Sequence, residues 1–364
     1  MEKQKTMMDY ILESPEIVVK NVEQSKTLTK PLVDLFLKKE YKTIWIVASG
    51  SSYNSGHCAR MFIREYLDIE VKIIPPYTFC HYENNIKEED FVFVISQSGY
   101  STNAIDALKK LRELGREAIG ITGDINSDFR LFADPVIDYG VGIETVGYVT
   151  KGVTTLATFL ILFALEAGLV KNKVSIEEYN KIKEEMILAM DAHKIVTEET
   201  FKLYEKNYKA LTSMTNCYVC GCGSNYGLAL EGALKIGETV QIPSIGLELE
   251  EYIHGPNLQL SPNYTVFIID SGDPTSKRAI EIFYATKAVT DKVFIISNDL
   301  SIDDDHAIRV PVTIRETLSP LYGLPFFQII SYQVTEDLNR WKKHPLFDKF
   351  KEKAVSKSEA YGNR

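Results

Sequence analysis

What most constrains the fold of this chain is an internal repeat at a fixed offset of 173 residues. The stretch Ile44-Trp45-Ile46-Val47-Ala48-Ser49-Gly50-Ser51-Ser52-Tyr53 returns as Cys217-Tyr218-Val219-Cys220-Gly221-Cys222-Gly223-Ser224-Asn225-Tyr226. At the same offset, Phe91-Val92-Phe93-Val94-Ile95-Ser96-Gln97-Ser98-Gly99 returns as Tyr264-Thr265-Val266-Phe267-Ile268-Ile269-Asp270-Ser271-Gly272. A third apolar run, 118–124, matches 293–299 at nearly that spacing, and Gly142-Ile143-Glu144-Thr145 is set against Ile314-Arg315-Glu316-Thr317. So long a period marks a duplicated domain rather than a solenoid unit. Within each copy, short continuous apolar runs alternate with helical stretches, the pattern of a parallel sheet covered on both faces. The expected fold class is α/β: two tandem flavodoxin-like domains, each a parallel sheet sandwiched by helices. The expected division is an N-terminal helical segment (1–40), a first domain (41–170), a helical linker (171–212), a second domain (213–340) and a C-terminal tail (341–364).

Composition enters through what it excludes. The formal charge of -9 opposes a nucleic-acid footprint, which needs a basic excess. The uncharged, strongly apolar run Gly152 to Leu165 is broken by threonines and falls short of the ~20 residues of a membrane span, so it reads as a buried helix. Acidic residues among the apolar ones near the amino terminus are unlike a secretory signal. Together with an odd count of five cysteines, this gives an expectation of reduced thiols and a cytoplasmic location. Cys217, Cys220 and Cys222 could suggest a metal, but they lie in an apolar strand running into a glycine turn. No second Cys or His pair follows at zinc-finger spacing, so the expectation is small buried hydrophobes and no metal.

In an open parallel sheet, ligands bind beyond the carboxyl ends of the strands, where loops lead into helix amino termini. Two such loops in the first half are rich in hydroxyls: 49–56, with Ser52, and 96–103, with Ser96, Gln97, Ser98 and Ser101. Hydroxyls and free backbone N–H groups at a helix start satisfy an anion such as phosphate. Ser and Asn also cap helices, and either loop alone would read as a cap. Two at successive strand ends favour phosphate. The equivalent loop of the second half carries Asp270 and Asp273, which would repel phosphate, so a single phosphate site is expected in the first half.

The second half offers Glu231, Lys235 and Glu238 at i, i+4 and i+7, one face of a helix. A solvated Glu–Lys stripe would give the same spacing. His254 follows, in His254-Gly255-Pro256, where a plain loop residue is the simpler reading.

Taken together, these motifs resemble the SIS (sugar isomerase) domain family, and within it the isomerase half of glucosamine-6-phosphate synthase and the fructosamine and glucoselysine 6-phosphate deglycases. The resemblance runs over residues 30–340 and rests on the glycine-serine loop, Ser96-Gln97-Ser98-Gly99, Leu230-Glu231-Gly232-Ala233-Leu234-Lys235 with Glu238, and His254-Gly255-Pro256. It implies that Ser52, Ser96, Gln97, Ser98 and Ser101 hold a sugar phosphate. By the same resemblance Glu238 shuttles a proton between C1 and C2, His254 opens the sugar ring from a partner subunit, and Glu231 and Lys235 support the sugar hydroxyls. The implied assembly is a homodimer with shared sites; no cofactor is implied.

Three departures shape the expected function. No glutaminase domain precedes the repeat, Tyr100 replaces an acidic residue in the Ser-Gln-Ser-Gly loop, and the ending after Trp341 is unlike the synthase tail that bears a Schiff-base lysine. The expected activity is a deglycase that cleaves a phosphorylated sugar–amino-acid adduct, since such a substrate brings its own amine. Glucosamine-6-phosphate deamination or aldose–ketose isomerisation is the alternative, and a non-catalytic sugar-phosphate sensor is the alternative of another class.

Overall fold

The structure is a computed structural model and describes residues 5–363. Five parallel strands form the first sheet: β1 (Thr43–Val47), β2 (Glu70–Ile74), β3 (Asp90–Ile95), β4 (Ile119–Thr122) and β5 (Val136–Asp138), in the order β2-β1-β3-β4-β5. The second sheet contains β6 (Cys217–Cys220), β7 (Ser244–Leu247), β8 (Thr265–Ile269), β9 (Val293–Ser297) and β10 (Ala307–Arg309), in the order β10-β9-β8-β6-β7. Read from the other edge, the second order is the first repeated, and both follow the flavodoxin-like winding. The central strands β1, β3, β4, β6, β8 and β9 coincide with the apolar runs of the sequence. The edge strands β2, β5, β7 and β10 carry partly exposed residues and gave no such run.

The repeat extends to backbone angles. Gly50 and Gly223 end β1 and β6 with φ of 55° and 56°, and Gly99 and Gly272 follow β3 and β8 with φ of 70° and 71°. Left-handed turns at these points bring each strand into the helix behind it at little cost, because glycine lacks a Cβ. At Gly99 a side chain would also collide with Ser127, whose Oγ lies 1.8 Å from where a Cβ would sit.

Two compact units result. One comprises 20–145, 151–179 and 343–364 and contains the first sheet; the other comprises the chain up to Val19, 146–150 and 180–342, with the second sheet. The first core gathers Trp45, Val47, Val92, Val94, Leu108 and Phe129, and the second gathers Tyr218, Val266, Ile268, Phe283, Val293 and Ile295.

The uncharged run of the first half belongs to the 20-residue helix Lys151–Val170. The expected buried helix is present, and it is longer than the uncharged run. Counted from its first turn, the helix is long and apolar enough to cross a membrane, yet 89% of its apolar window is buried inside the protein. It packs on the helix Ser51–Leu67, and its buried Glu166 accepts hydrogen bonds from Ser25 Oγ at 2.6 Å and the Tyr179 hydroxyl at 2.7 Å. Protein neighbours thus replace water around it.

One buried group sets an acid limit on this fold. His193, in the long helix Ile176–Lys206, is fully enclosed, and neither ring nitrogen has a hydrogen-bond partner among the described residues. Burial pushes its pKa down to about 3. The unfolded chain, with an ordinary imidazole near 6.5, therefore takes up the proton first as the pH falls. Stability contributed by neutral His193 is complete above about pH 6.5 and is lost towards pH 3, with a slope approaching about 1.4 kcal/mol per pH unit. Urea unfolding at pH 7, 6 and 5 should show this decline, and it should be shallower in His193→Leu. An identical acid slope in the variant would contradict the assignment.

Candidate active site

The first candidate region lies at the carboxyl edge of its sheet, and the second lies in the other unit, in the last turns of the helix that follows β6 and leads back to the start of β7. In the first, β3 delivers Ser96-Gln97-Ser98-Gly99 into the helix Thr102–Glu113. Ser96 and Ser98 are buried. Gly99 N–H donates to Ser96 Oγ at 3.2 Å, Tyr100 N–H donates to Ser98 Oγ at 3.3 Å, and Ser96 Oγ donates to Ser101 Oγ at 3.2 Å. Three of the predicted hydroxyls therefore form one network around the turn. Gln97 holds the loop through its backbone: its carbonyl accepts from Gly123 N–H at 3.0 Å and from Thr122 Oγ1 at 3.3 Å.

Ser52 sits in the first turn of the helix Ser51–Leu67, buried, and makes no hydrogen bond to the Ser96–Ser101 loop among the described residues. The tie between the two loops is Asn103 Nδ2, which donates to Ser49 Oγ at 2.9 Å. Ser101, the N-cap residue of the helix Thr102–Glu113, makes no side-chain cap bond to that helix.

The tail, which the sequence left without a role, reaches this loop. Ser101 bridges antiparallel to Lys357, Thr102 N–H donates to the Ser356 carbonyl at 3.2 Å, and Ser358 N–H donates to the Tyr100 carbonyl at 2.9 Å. Lys357 Nζ donates to Ser98 Oγ at 2.9 Å and to Ser101 Oγ at 3.0 Å. The rings of Tyr100 and Tyr361 meet at 5.7 Å. An isolated antiparallel bridge places Lys357, and a charged tail offers no periodicity from which to find it.

The corresponding loop after β8 is filled from within. Asp270 occupies the position of Gln97 in the repeat and is buried. Its Oδ2 accepts from Ser297 Oγ and, at 2.9 Å, from Ser276 Oγ; its Oδ1 accepts from Gly272 N–H at 3.0 Å. Asn225 Nδ2 donates to Ser271 Oγ at 2.9 Å, and Ser319 Oγ donates to Asn225 Oδ1 at 2.7 Å. An internal carboxylate already takes the donors that an anion would need.

The second candidate region is the Glu231–Lys235–Glu238 cluster. A uniform helix face was expected; instead the helix Asn225–Lys235 widens into a π turn at Ile236–Val240. π turns inside helices occur often at functional sites because they redirect a side chain. The solvated-stripe reading fails as well. Lys235 and Glu231 side chains are 0% and 1% exposed, while Glu238 is 29% exposed. Lys235 Nζ lies 3.3 Å from Glu231 Oε1 and donates to Glu238 Oε1. Burial alone would lower the Lys235 pKa, but the two carboxylates outweigh it and hold the ammonium above its ordinary value. The lysine is thus a fixed cation, and Glu238 is the one member of the trio that a ligand can reach.

His254 closes the short helix Leu249–Ile253, whose start is capped by Glu248 Oε2 accepting from the N–H groups of Glu250 and Glu251. Gly255, with φ of 139°, and Pro256 then turn the chain. The His254 ring is exposed, with Nδ1 2.8 Å from the Glu250 carbonyl, so a proton on Nδ1 leaves the Nε2 lone pair outward. Among the described residues its hydrogen bonding does not join it to the Lys235 cluster. The three cysteines of the former metal candidate stand in and after β6. Burial pushes the Cys217 thiol up to about 12, and Cys222 Sγ lies 3.0 Å from Thr275 Oγ1.

Two flavodoxin-like halves, one with a hydroxyl-rich loop and one with a buried Glu-Lys-Glu cluster, define a duplicated α/β protein. The SIS domain profile matches residues 37–165 and 210–332, and the chain belongs to that family. It is 26% identical over 335 residues to a glutamine–fructose-6-phosphate aminotransferase (isomerizing) of Clostridium tetani, covering 91% of this chain and 53% of that protein. The Bacteroides thetaiotaomicron protein of the same name is 28% identical, with 90% and 55% covered. The chain spans about half the length of the curated relatives it matches. Among solved structures, a Clostridium difficile 630 protein provisionally described as a phosphosugar isomerase superposes with a TM-score of 0.87 and 26% identity, covering 98% of this chain and 99% of that one. The C-terminal domain of a Francisella tularensis glucosamine-fructose-6-phosphate aminotransferase gives 0.82 at 21% identity, covering 92% and 97%, and shares the fold.

The cluster carries its own stability test. Removing the ammonium breaks the buried ion pair with Glu231, a change that typically costs about 3–5 kcal/mol. Lys235→Met should lose stability of that order in urea unfolding at pH 7. A loss below about 1 kcal/mol would show that water or another cation compensates the carboxylates.

Proposed function

We propose that this chain is an enzyme that moves a proton between C1 and C2 of a hexose 6-phosphate bearing an amine, and so releases the amine. The preferred substrate is a phosphorylated sugar–amino-acid adduct, a fructosamine or glucoselysine 6-phosphate, which makes the protein a deglycase. The observation that carries this reading is the accessible carboxylate of Glu238 beside a buried, permanently charged Lys235. Proton transfer next to a carbonyl or imine needs a positioned carboxylate, and the neighbouring ammonium favours the negative charge that develops on oxygen.

The other roles follow. Ser52, Ser96, Gln97, Ser98 and Ser101 hold the phosphate, His254 opens the ring through its outward nitrogen, and Glu231 fixes Lys235. Enolisation gives an imine, and water divides it into a hexose 6-phosphate and the free amine. Water is the only co-reactant, so the reaction needs neither a metal nor a cofactor. Free thiols at all five cysteines accord with a cytoplasmic setting. Assembly as a homodimer that shares His254 between sites belongs to the same proposal.

A panel of phosphorylated adducts, assayed for hexose 6-phosphate and for the amine released, tests the activity. Release of an amino acid supports the deglycase, whereas ammonium from glucosamine 6-phosphate alone would make the enzyme a deaminase. On the active substrate, Glu238→Gln should lower kcat by about 10²–10⁴-fold, the usual contribution of a general base, with phosphate-driven binding kept. Full activity would remove Glu238 from the mechanism. Mixing Glu238→Gln with His254→Ala subunits should restore part of the activity if sites are shared. A dead mixture with demonstrated subunit exchange would mean that each site is complete within one chain.

A further inference from the structure

We propose that Lys357 of the C-terminal tail is a ligand of the substrate phosphate, and that it directs the serine hydroxyls of the clamp towards the anion. The inference deepens the phosphate reading above and rests on it.

A serine hydroxyl has one proton to donate and two lone pairs to accept with. Ser98 Oγ accepts from Lys357 Nζ and from the Tyr100 N–H. Ser101 Oγ accepts from Lys357 Nζ and from Ser96 Oγ. Both acceptor positions of both hydroxyls are therefore taken, and each keeps one proton that no hydrogen bond uses among the described residues. A ligand completing this network must accept from both. Phosphate oxygens only accept, and lysine adds an ammonium at the same point, where charge-assisted bonds to phosphate are roughly twice as strong as neutral ones. A neutral hydroxyl clamp would leave Ser98 and Ser101 free to turn either lone pair or proton outward. With Lys357 seated, the outward group is the proton.

The tail is held for this purpose independently of the lysine side chain. Backbone bonds from Thr102 N–H to Ser356 and from Ser358 N–H to Tyr100 flank Lys357 on both sides, and Tyr361 rests on Tyr100. Tyr100 thereby acquires a use that an acidic residue could not serve: its ring supports Tyr361, over which Lys357 Nζ lies at 5.4 Å from the centroid. In the second unit no such cation is required, because Asp270 supplies the anion itself.

The test uses the full-length chain with fructose 6-phosphate, fructose and inorganic phosphate as probes, titrated by calorimetry at low and moderate salt. Lys357→Met should weaken fructose 6-phosphate and inorganic phosphate at least about tenfold and reduce the salt dependence of binding, while Lys357→Arg stays within a few-fold of wild type. Ser98→Ala reports on the clamp itself. If Ser98→Ala loses phosphate affinity and Lys357→Met does not, the lysine only anchors the tail and the inference falls while the clamp stands. Tighter binding in Lys357→Met would overturn it too, by showing that the tail occupies the clamp in competition with phosphate. If neither variant alters binding, the phosphate is held elsewhere and both readings fail.

Discussion

A parallel sheet sends every strand out at the same edge, so the turns after β1 and β3, and after β6 and β8, gather helix amino termini whose N–H groups lack partners within the helix. Something must satisfy them, and the two halves of this duplicated chain do so differently. After β3 the loop presents hydroxyls from Ser96, Ser98 and Ser101 around a left-handed Gly99. After β8, with nearly the same backbone, Asp270 turns inward and binds Ser276, Ser297 and the Gly272 N–H. Within the repeat Gln97 is matched by Asp270, Ser96 by Ile269 and Ser101 by Pro274, so one loop carries three hydroxyls and the other an internal carboxylate. With its anion site closed, the second half keeps its polar investment in the Glu231–Lys235–Glu238 cluster.

That cluster and the clamp have opposite electrostatic logic. Lys235 is out of water entirely, and only its two carboxylates make an ammonium tolerable there. Its charge is held in place by the fold, and the member of the trio that reaches solvent is Glu238, in the π turn. At the clamp the positive charge comes from a surface tail, with water close by and a short antiparallel bridge as its anchor. A fixed interior cation suits a reacting centre; a tethered surface cation suits recognition of a doubly charged group.

The repeat at 173 residues made the architecture legible, because duplicated strand-loop pairs leave matching apolar runs and glycines, and Gly50/Gly223 and Gly99/Gly272 agree in φ to within a degree. The edge strands were not legible: three to five residues with partly exposed positions resemble any loop. Sequence spacing placed Glu231, Lys235 and Glu238 together, but i, i+4 and i+7 describe an exposed stripe as readily as a buried triad, and nothing in the spacing foretells a π turn. The reach of the apolar helix was underestimated because its count stopped at charged Lys151 and Glu166, both of which the fold buries with partners. Lys357 was invisible for a different reason. Its place depends on backbone pairing between segments some 250 residues apart, and such pairing leaves no local pattern in a charged tail.

The central claim is the division of labour between two like loops, and a crystal structure of the chain with fructose 6-phosphate bound tests it most directly. The account predicts phosphate density within hydrogen-bond distance of Ser96, Ser98 and Ser101, with the Asp270 loop unchanged and free of ligand. Phosphate density at the Asp270 loop, or a vacant Ser96–Ser101 loop at saturating ligand, would contradict it.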